Sequence, residues 1–529
     1  MNSLNSKILS ILIQKQEKYI TSNEIHSQID RVSKRAILKE LKLLSQNKRI
    51  TIVGQSSSTA YQISKDYYKT FEHLLYIYQN QVLIGYLGYD YEQYYFAYDT
   101  NYILQKKQNT RFQMPISLKT HTQRTCFVDF EECLPEGIDK KILIEKTGNA
   151  TDFFLLEHNN YSSNDLIFSS NELTFDKKIK SKSYLANKDK ILGKNRFPNV
   201  LDLDVNLDKK TLFPSEFMAD IDQVKQIRTM SLSGYQHKLQ VIIENNTIRV
   251  PKDDENVLYF VKPYHIEKAD ENSDYYFPHI AINEHLHLTF AKNELKFDVP
   301  QSGIFKSDTD KEYHYIIKYF DRLHDYKFQR KEFSTYMRLN SSNKYNTSSE
   351  KLFETASKVL PRVSDRLRML EYYFYSFAIR HEDMHTKNIS NICDEDKTFL
   401  APLYDIASTG FYTGIRNYES HLPINGKQTN IRYNDFLELV KRADVPRVDF
   451  KQKAKIILET YMKQMPKYIK KISNLENINF YIKEKPNAQG KKIKIKEKTT
   501  LDVIMMDAYK KRIEVLNKNG WFEKLGISK

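Results

Sequence analysis

Five consecutive residues, His-Glu-Asp-Met-His at positions 381–385, constrain this chain more than any other feature, because they fit two unrelated local structures. As H-E-x-x-H they would lie on a helix, with two histidines binding zinc and a glutamate acting as the general base of a hydrolase. As H-x-D with Asn388 five residues after Asp383, they would form the catalytic loop of a kinase. The flanking sequence has to decide between helix and loop.

The flanking sequence favours the loop. Residues 386–391 are polar at first and then favour a strand, so a helix is not expected to continue past His385. Upstream, the apolar residues 370–379 predict a buried helix that ends at the loop. Downstream, the apolar residues 399–406 predict a short strand that delivers Asp405. In kinases the loop aspartate accepts the hydroxyl proton, while the loop asparagine and a later aspartate hold magnesium. We therefore predict Asp383 as the catalytic base and Asn388 and Asp405 as Mg²⁺ ligands.

A kinase also needs a lysine on a strand for the phosphates and a glutamate on the next helix to hold that lysine. Residues 257–263 predict a hydrophobic strand that ends near Lys262, and the helix predicted from residue 278 carries Glu284 on a side that can reach back to it. Residues 231–238, Ser-Leu-Ser-Gly-Tyr-Gln-His-Lys, precede another predicted strand. Their single glycine does not make a G-x-G-x-x-G motif, but such a loop can offer backbone N–H groups, hydroxyls and a lysine to phosphates. The predicted nucleotide-binding residues are Ser233, Gly234, Gln236, Lys238, Lys262 and Glu284.

Taken in order, these motifs resemble the HipA-like serine/threonine kinases, the toxin halves of bacterial toxin–antitoxin pairs. The resemblance spans roughly residues 66–440 and rests on residues 231–238, 260–262, 283–284, 319–322, 383–388 and 400–405. It implies an α+β, two-lobed kinase-like fold preceded by a small β-rich subdomain, with ATP and Mg²⁺ as cofactors. It also implies a protein substrate such as an aminoacyl-tRNA synthetase or another translation component, growth arrest as the outcome, and an antitoxin partner.

The resemblance also carries residue roles. Lys262 would contact the nucleotide phosphates, and Lys387 would join Asp383 in catalysis. Ser231 matches the family's autophosphorylation serine, with Ser233 as a second candidate, so the chain could inactivate itself. This sequence departs from the family at Arg380-His381, where Gly-Asn is usual.

The first 65 residues predict a separate unit of three helices and a hairpin, which is typical of a winged helix-turn-helix. Thr21 with Glu24 reads as a capping box that opens the second helix. The third helix, residues 33–44, would bury Ile37, Leu41 and Leu44 and expose basic residues to DNA phosphates in the major groove. The predicted DNA-binding residues are Lys34, Arg35, Lys39 and Arg49. A basic helix face is also the commonest kind of solvated surface, and many winged helices bind protein instead.

Length and composition agree with several domains. At 529 residues with a net charge of +15, the chain is too long for one core and favours polyanionic partners, although much of the charge is simply abundant lysine. Its three cysteines have no metal spacing, and the sequence contains neither a signal peptide nor a long apolar run, so we expect a cytoplasmic protein without a membrane partner. The predicted divisions are 1–65 winged helix, 66–150 N-terminal subdomain, 151–220 linker or inserted segment, 221–323 kinase N-lobe, 324–475 C-lobe and 476–529 basic C-terminal extension.

One alternative keeps the fold but changes the function. The chain could be a DNA-binding transcriptional regulator whose kinase body only senses nucleotide. Lys262, Asp383, Asn388 and Asp405 are all present, and a pseudokinase typically lacks at least one such residue. The zinc hydrolase remains a third hypothesis, which stoichiometric metal in the purified protein would support.

Overall fold

The computed structural model describes residues 4–15, 18–64, 67–105, 112–135, 137–159, 165–175, 179–198, 206–207, 238–245, 247–252, 255–273, 276–339, 343, 346–394, 397–412, 418–486 and 492–528. The chain divides into two compact units. The first comprises Met1–Leu134 with Thr147–Lys180, and the second comprises Pro135–Lys146 with Ser181–Lys529. Helix and sheet are mixed in both units, so the α+β class predicted from the sequence is confirmed.

The first unit begins with alternating short helices and strands. Thr21 and Glu24 form the expected capping box, in which the Thr21 N–H donates to Glu24 Oε2 at 2.7 Å and the Glu24 N–H donates to Thr21 Oγ1 at 3.3 Å. The third helix buries Ile37, Leu41 and Leu44, as its apolar spacing predicts. In chain order the elements are helix Leu4–Gln14, strand Ile20–Thr21, helix Ser22–His26, helix Lys34–Gln46, strand Ile50–Val53 and strand Ala60–Ile63.

One residue predicted to bind DNA lies inside this unit instead. The Arg49 side chain is fully buried, and its Nε donates to the Leu118 carbonyl at 3.2 Å while its Nη1 donates to Thr100 Oγ1 at 3.4 Å. The prediction that Arg49 contacts DNA is therefore wrong, because its guanidinium satisfies internal acceptors. The charge alone could not distinguish this role from a surface role.

An antiparallel sheet forms the rest of the first unit. Its strands lie in the order His121–Gln123, Tyr94–Tyr98, Val82–Tyr89, His73–Gln79 and Leu166–Ser169. The last strand pairs with His73–Gln79, and helix Asp152–His158 precedes it. This corrects the predicted linker or insert over 151–220, because residues 147–180 belong to the first unit and provide an edge strand of its sheet. The other helices are Thr100–Gln105 and Val128–Glu131.

A second sheet and a long buried helix form one part of the second unit. The strands lie in the order Ser302–Phe305, His314–Lys318, Tyr259–Lys262, Leu239–Glu244, Thr247–Arg249 and Asn206–Leu207. Helix Ile280–Asn293 packs against this sheet through apolar residues that include Ile282, Leu286 and Phe290. Helix Gly137–Thr147 contributes Ile142 to a second cluster with Leu239 and Val261.

Helices dominate the other part of the second unit. They are Tyr184–Leu192, Ile266–Ala269, Phe333–Tyr336, Ser349–Val359, Val363–Ile379, Tyr433–Arg442, Arg447–Lys471, Leu501–Lys518 and Trp521–Leu525. The small sheets pair Gln329–Glu332 with Ser390–Asp394 and Lys397–Leu400, Arg322–Leu323 with Tyr326–Lys327, and Asn479–Pro486 with Lys492–Thr500.

The end of the chain is part of this unit rather than an appendage. Phe480, Leu501 and Trp521 are buried in the same apolar core as Phe374 and Ile457. The predicted C-terminal extension is therefore corrected, because the described residues of this segment, 476–486 and 492–528, contribute to the core. None of the helices in the described part of the chain has the length and apolar character needed to cross a membrane.

Candidate functional site

The lysine at the end of strand Tyr259–Lys262 meets the glutamate that the sequence predicts for it. Lys262 Nζ donates to Glu284 Oε1 at 2.8 Å and to Glu284 Oε2 at 3.0 Å, and both side chains are buried. The strand ends beside the helix that carries Glu284, so the pair spans sheet and helix. Burial raises the pKa of Glu284 to about 7, and the Lys262 charge opposes that rise.

Asp405 completes this network from another part of the chain. Its Oδ1 accepts from Lys262 Nζ at 2.5 Å, and its backbone has a φ of +54°, a left-handed conformation that is uncommon outside glycine and asparagine. Burial alone would raise the pKa of Asp405, but the Lys262 charge holds it well below its usual range. Burial alone would lower the pKa of Lys262, but the charges of Asp405 and Glu284 outweigh burial and raise that pKa above its usual value.

The His-Glu-Asp-Met-His segment forms the predicted loop. Helix Val363–Ile379 ends just before it, and strand Ser390–Asp394 follows it. Asn388 Nδ2 donates to the Asp383 carbonyl at 2.8 Å, which fixes the turn between them, while the Asp383 side chain is 55% exposed. The zinc-helix interpretation is wrong, because these histidines are not on a helix. Within the described residues, no group of three His, Cys, Asp or Glu could hold a metal ion.

The two residues that depart from the family pattern have structural roles. Arg380 ends the helix in a left-handed conformation, φ +59°, where glycine is the usual choice. Its Nη1 donates to the Gly410 carbonyl at 3.4 Å. His381 is buried, and its Nδ1 lies 2.8 Å from the Ala407 carbonyl. Burial lowers the pKa of His381 to about 4, so the ring is neutral at physiological pH.

Two adjoining pockets meet at the ion network and share Lys238, Lys262, Glu284 and Asp405. The first is lined by Phe260, Ile317, Tyr319, Phe320, Lys387 and Tyr404 among others. The second, about 310 Å³, is lined by His381, Glu382 and Asp383 among others. The apolar end suits a planar ring, and the two lysines at the shared centre can offer positive charge to phosphates.

The predicted site residues therefore separate into two groups. Lys238, Lys262, Glu284, Asp383, Lys387 and Asp405 line one continuous cleft, and Asn388 lies beside Asp383. Ser231, Ser233, Gly234 and Gln236 lie outside the described residues.

Sequence reasoning missed the role of Asn283. Its Nδ2 donates to the Ser408 carbonyl at 2.6 Å, and its Oδ1 accepts from the Ser408 N–H at 3.0 Å. This two-way contact ties the helix that carries Glu284 to the segment that follows Asp405. The only sequence signal was its position next to Glu284.

The chemistry of the predicted metal ligands fits Mg²⁺. Asp405 offers a carboxylate at the cleft, and the Asn388 amide nitrogen is engaged with Asp383, so its amide oxygen can act as a ligand. Mg²⁺ prefers oxygen and is usually bound through one or two protein groups plus substrate phosphates. One carboxylate and one amide oxygen are therefore a donor set that suits Mg²⁺ bound together with phosphates.

Comparison with known families matches two segments. Residues 230–469 match the HipA-like C-terminal domain, and residues 75–158 match the HipA N-terminal domain. The HipA of Shewanella oneidensis MR-1, solved as a complex of HipA, HipB and operator DNA, has a similar fold. Its TM-score is 0.56 at 14% identity, over 84% of this chain and 96% of that one.

Two further relatives share sequence with part of the chain. A Haemophilus influenzae protein named "Putative kinase" is 29% identical over 204 residues, which are 36% of this chain and 55% of the relative. "Putative kinase Y4mE" of Sinorhizobium fredii is 22% identical over 193 residues, which are 35% of this chain and 43% of the relative. The matches therefore span about half the length of each relative. With both domain matches and the shared fold, the chain belongs to the HipA-like family.

Proposed function

We propose that this chain is an ATP- and Mg²⁺-dependent protein serine/threonine kinase. The observation that carries the proposal is the Lys262–Glu284–Asp405 network, which lies in one cleft with Asp383. Kinases need a lysine held by a glutamate, a metal-binding aspartate and a catalytic aspartate together. An ordinary structural ion pair would not need Asp383 exposed at the same cleft.

Each residue has a distinct task in the proposed reaction. Lys262 and Lys238 bind and orient the phosphates of ATP, and Asn388 and Asp405 hold the metal. Asp383 accepts the proton of the attacking hydroxyl. The hydroxyl oxygen then bonds to the γ-phosphorus while the bond between that phosphorus and the ADP oxygen breaks. Lys387 supports the transferring group from the same loop. Mg²⁺ held by Asn388 and Asp405 would supply positive charge that offsets the charge developing on the transferring phosphate.

The resemblance to the family supports proposals about regulation and targets. We propose autophosphorylation at Ser231 or Ser233 as a way of silencing the kinase. A translation component, such as an aminoacyl-tRNA synthetase, is the proposed substrate class, and growth arrest is the proposed result. The Shewanella structure contains HipB and operator DNA, which supports an antitoxin and DNA as partners here.

Intact mass tests the kinase proposal. The full chain is first dephosphorylated, shown to bind ATP, and then incubated with ATP and Mg²⁺. We expect the wild type to gain phosphate on Ser231 or Ser233, and Asp383→Asn to gain none, because the amide cannot accept the proton. Asp308→Asn is the control, since it removes the same charge from an exposed side chain of the same unit.

The outcomes separate the two functions. Loss of phosphate incorporation only in Asp383→Asn supports the kinase. If the wild type binds ATP but gains no phosphate on itself or on a panel of translation proteins, the kinase proposal fails and the nucleotide-sensing regulator is favoured. Equal incorporation in the wild type and Asp383→Asn would indicate a contaminating kinase or a wrong catalytic residue.

We also propose that residues 4–64 form a winged helix-turn-helix that binds DNA. Its support is helix Lys34–Gln46, which buries apolar residues on one side and exposes Lys34, Arg35 and Lys39 on the other. A basic, exposed third helix can enter the major groove and contact phosphates. Autoregulation of its own promoter is the proposed role.

DNA binding should depend on those exposed residues. We expect the triple variant Lys34→Ala, Arg35→Ala, Lys39→Ala to bind a labelled duplex of its own upstream DNA more weakly. We also expect the negative slope of log affinity against log salt to become shallower by about 2 to 3, since each lost phosphate contact removes about 0.9 from its magnitude. The control is Lys7→Ala, Lys15→Ala, Lys119→Ala, which removes three exposed charges elsewhere in the unit. Equal losses of DNA affinity in both variants would show that net charge, and not these three residues, accounts for the effect.

A further inference from the structure

The C-terminal segment, which comprises the described residues 476–486 and 492–528, contacts the end of the helix that precedes the catalytic loop through the buried Arg512. Helix Val363–Ile379 leads into that loop, and the carbonyls of its last turn accept hydrogen bonds from residues beyond the helix. Arg512 Nε donates to the Ala378 carbonyl at 3.1 Å, and its Nη2 donates to the Phe377 carbonyl at 2.7 Å. A cation at this end of a helix is also favoured by the helix dipole.

Arg512 also connects the end of this helix to the segment beyond Asp405. Its Nη1 forms a buried ion pair with Glu419, whose Oε2 accepts from the Ile431 N–H at 2.8 Å. The arginine therefore holds two carbonyls before the loop and one carboxylate after it. Lysine carries its three donors on one nitrogen, so it cannot reproduce contacts made from three separate guanidinium nitrogens.

The same segment reaches the helix that carries Glu284. His279 precedes that helix, and its Nε2 lies 2.6 Å from the Asn479 carbonyl. Phe480 packs against Tyr412, with ring centroids 6.1 Å apart, and Tyr412 stacks on Phe277 at 3.6 Å. The segment thus contacts both structures that must be aligned for catalysis.

We propose that the C-terminal segment acts in cis to hold the catalytic loop and the Glu284 helix in their working positions, with Arg512 as the positioning residue for the loop. Arg512 does not line the nucleotide cleft, so it acts through the backbone before Asp383. The inference rests on the proposed kinase function for its consequence in catalysis, but not for its consequence in local structure.

Hydrogen–deuterium exchange tests the local consequence without requiring turnover. The amides of Arg380 and His381 donate to the Phe377 and Ser376 carbonyls, so they report on the end of the helix. We expect Arg512→Met to exchange about tenfold faster than wild type across residues 380–388, since local opening becomes easier. Lys511→Met is the matched control, because it removes the neighbouring charge from an exposed side chain.

Activity measurements give the second readout. In Arg512→Met we expect the rate of phosphate incorporation at saturating ATP to fall by roughly tenfold or more, with the KM for ATP changed by less than about twofold, since geometry rather than nucleotide binding is lost. Trp521, the single tryptophan, packs 5.3 Å from Phe377, so its emission shows whether the segment is still docked. Arg512→Lys, which keeps the charge beside Glu419, is used if Arg512→Met does not fold.

The failures of the two proposals look different. Unchanged exchange at residues 380–388 in a folded Arg512 variant, or the same change in Lys511→Met, overturns the positioning role. An inactive wild type overturns the kinase proposal. The positioning role of Arg512 is then tested by the exchange measurement alone. Faster exchange together with an unchanged rate would also overturn the role, because the loop would not need Arg512 for catalysis.

Discussion

Replacing Lys262 by methionine is expected to remove activity and to destabilise the second unit. The variant leaves Glu284 buried without the charge that neutralises it. Breaking one side of a buried ion pair typically costs about 3 to 5 kcal/mol. Loss of a preorganised cation at the phosphates is expected to reduce the rate by about 10² to 10³. Urea unfolding and the initial rate of phosphate incorporation measure the two effects.

The loss of stability should depend on pH in a defined direction. Burial already raises the pKa of Glu284 to about 7, and removing the lysine raises it further. A carboxyl group whose pKa is higher in the folded state makes the fold less stable as pH rises through that range. The stability difference between wild type and Lys262→Met should therefore grow from pH 6 to pH 8.

A double variant separates stability from catalysis. Lys262→Met with Glu284→Gln removes both charges, so much of the lost stability should return while activity remains absent. Lys311→Met, an exposed lysine of the same unit, should change neither quantity. Retained activity in Lys262→Met would show that this lysine does not orient the phosphates.

Local sequence patterns predicted the elements around the site well. The apolar run before residue 380, the strand before Lys262 and the helix with Glu284 are all present, because periodicity and polarity determine them locally. The contact between Lys262 and Glu284 also followed, since strand end and helix are close in the chain. The contact between Asp405 and Lys262 joins residues 143 positions apart. Only the kinase pattern, and no local feature of the sequence, predicted it.

What the sequence could not predict depends on distant packing. Arg49 looked like a phosphate ligand, but its acceptor at Leu118 is 69 residues away. Residues 492–500 are rich in lysine and lie in the segment predicted as a basic extension, yet they lead into the buried Leu501. Strand Leu166–Ser169 pairs with residues almost a hundred positions earlier. In each case the same residues would suit the surface or the interior, and their location depends on a partner that is distant in the sequence.

Replacing Asp405 by asparagine is expected to abolish the increase that Mg²⁺ brings to ATP affinity and to the rate of turnover. Asparagine keeps the size of the side chain but removes the charge, and Lys262 keeps Glu284 as its partner, so the unit should stay folded. A bound metal contributes several kcal/mol of charge stabilisation in the transition state, so the rate should fall by about 10³. Calorimetry of ATP binding with and without Mg²⁺ should show metal-dependent tightening in the wild type and in Asp383→Asn, but not in Asp405→Asn.

The same substitution should reveal the Asp405–Lys262 pair through the pH dependence of stability. The pKa of Asp405 lies below its ordinary value because Lys262 outweighs the effect of burial. A depressed pKa stabilises the fold above the unfolded value, near 3.9, and this contribution is lost as pH falls through the folded value. The stability advantage of wild type over Asp405→Asn should thus be full at neutral pH and decline in acid below about pH 4. Metal-dependent ATP binding that survives in Asp405→Asn would assign the metal to other residues, whatever the stability profile shows.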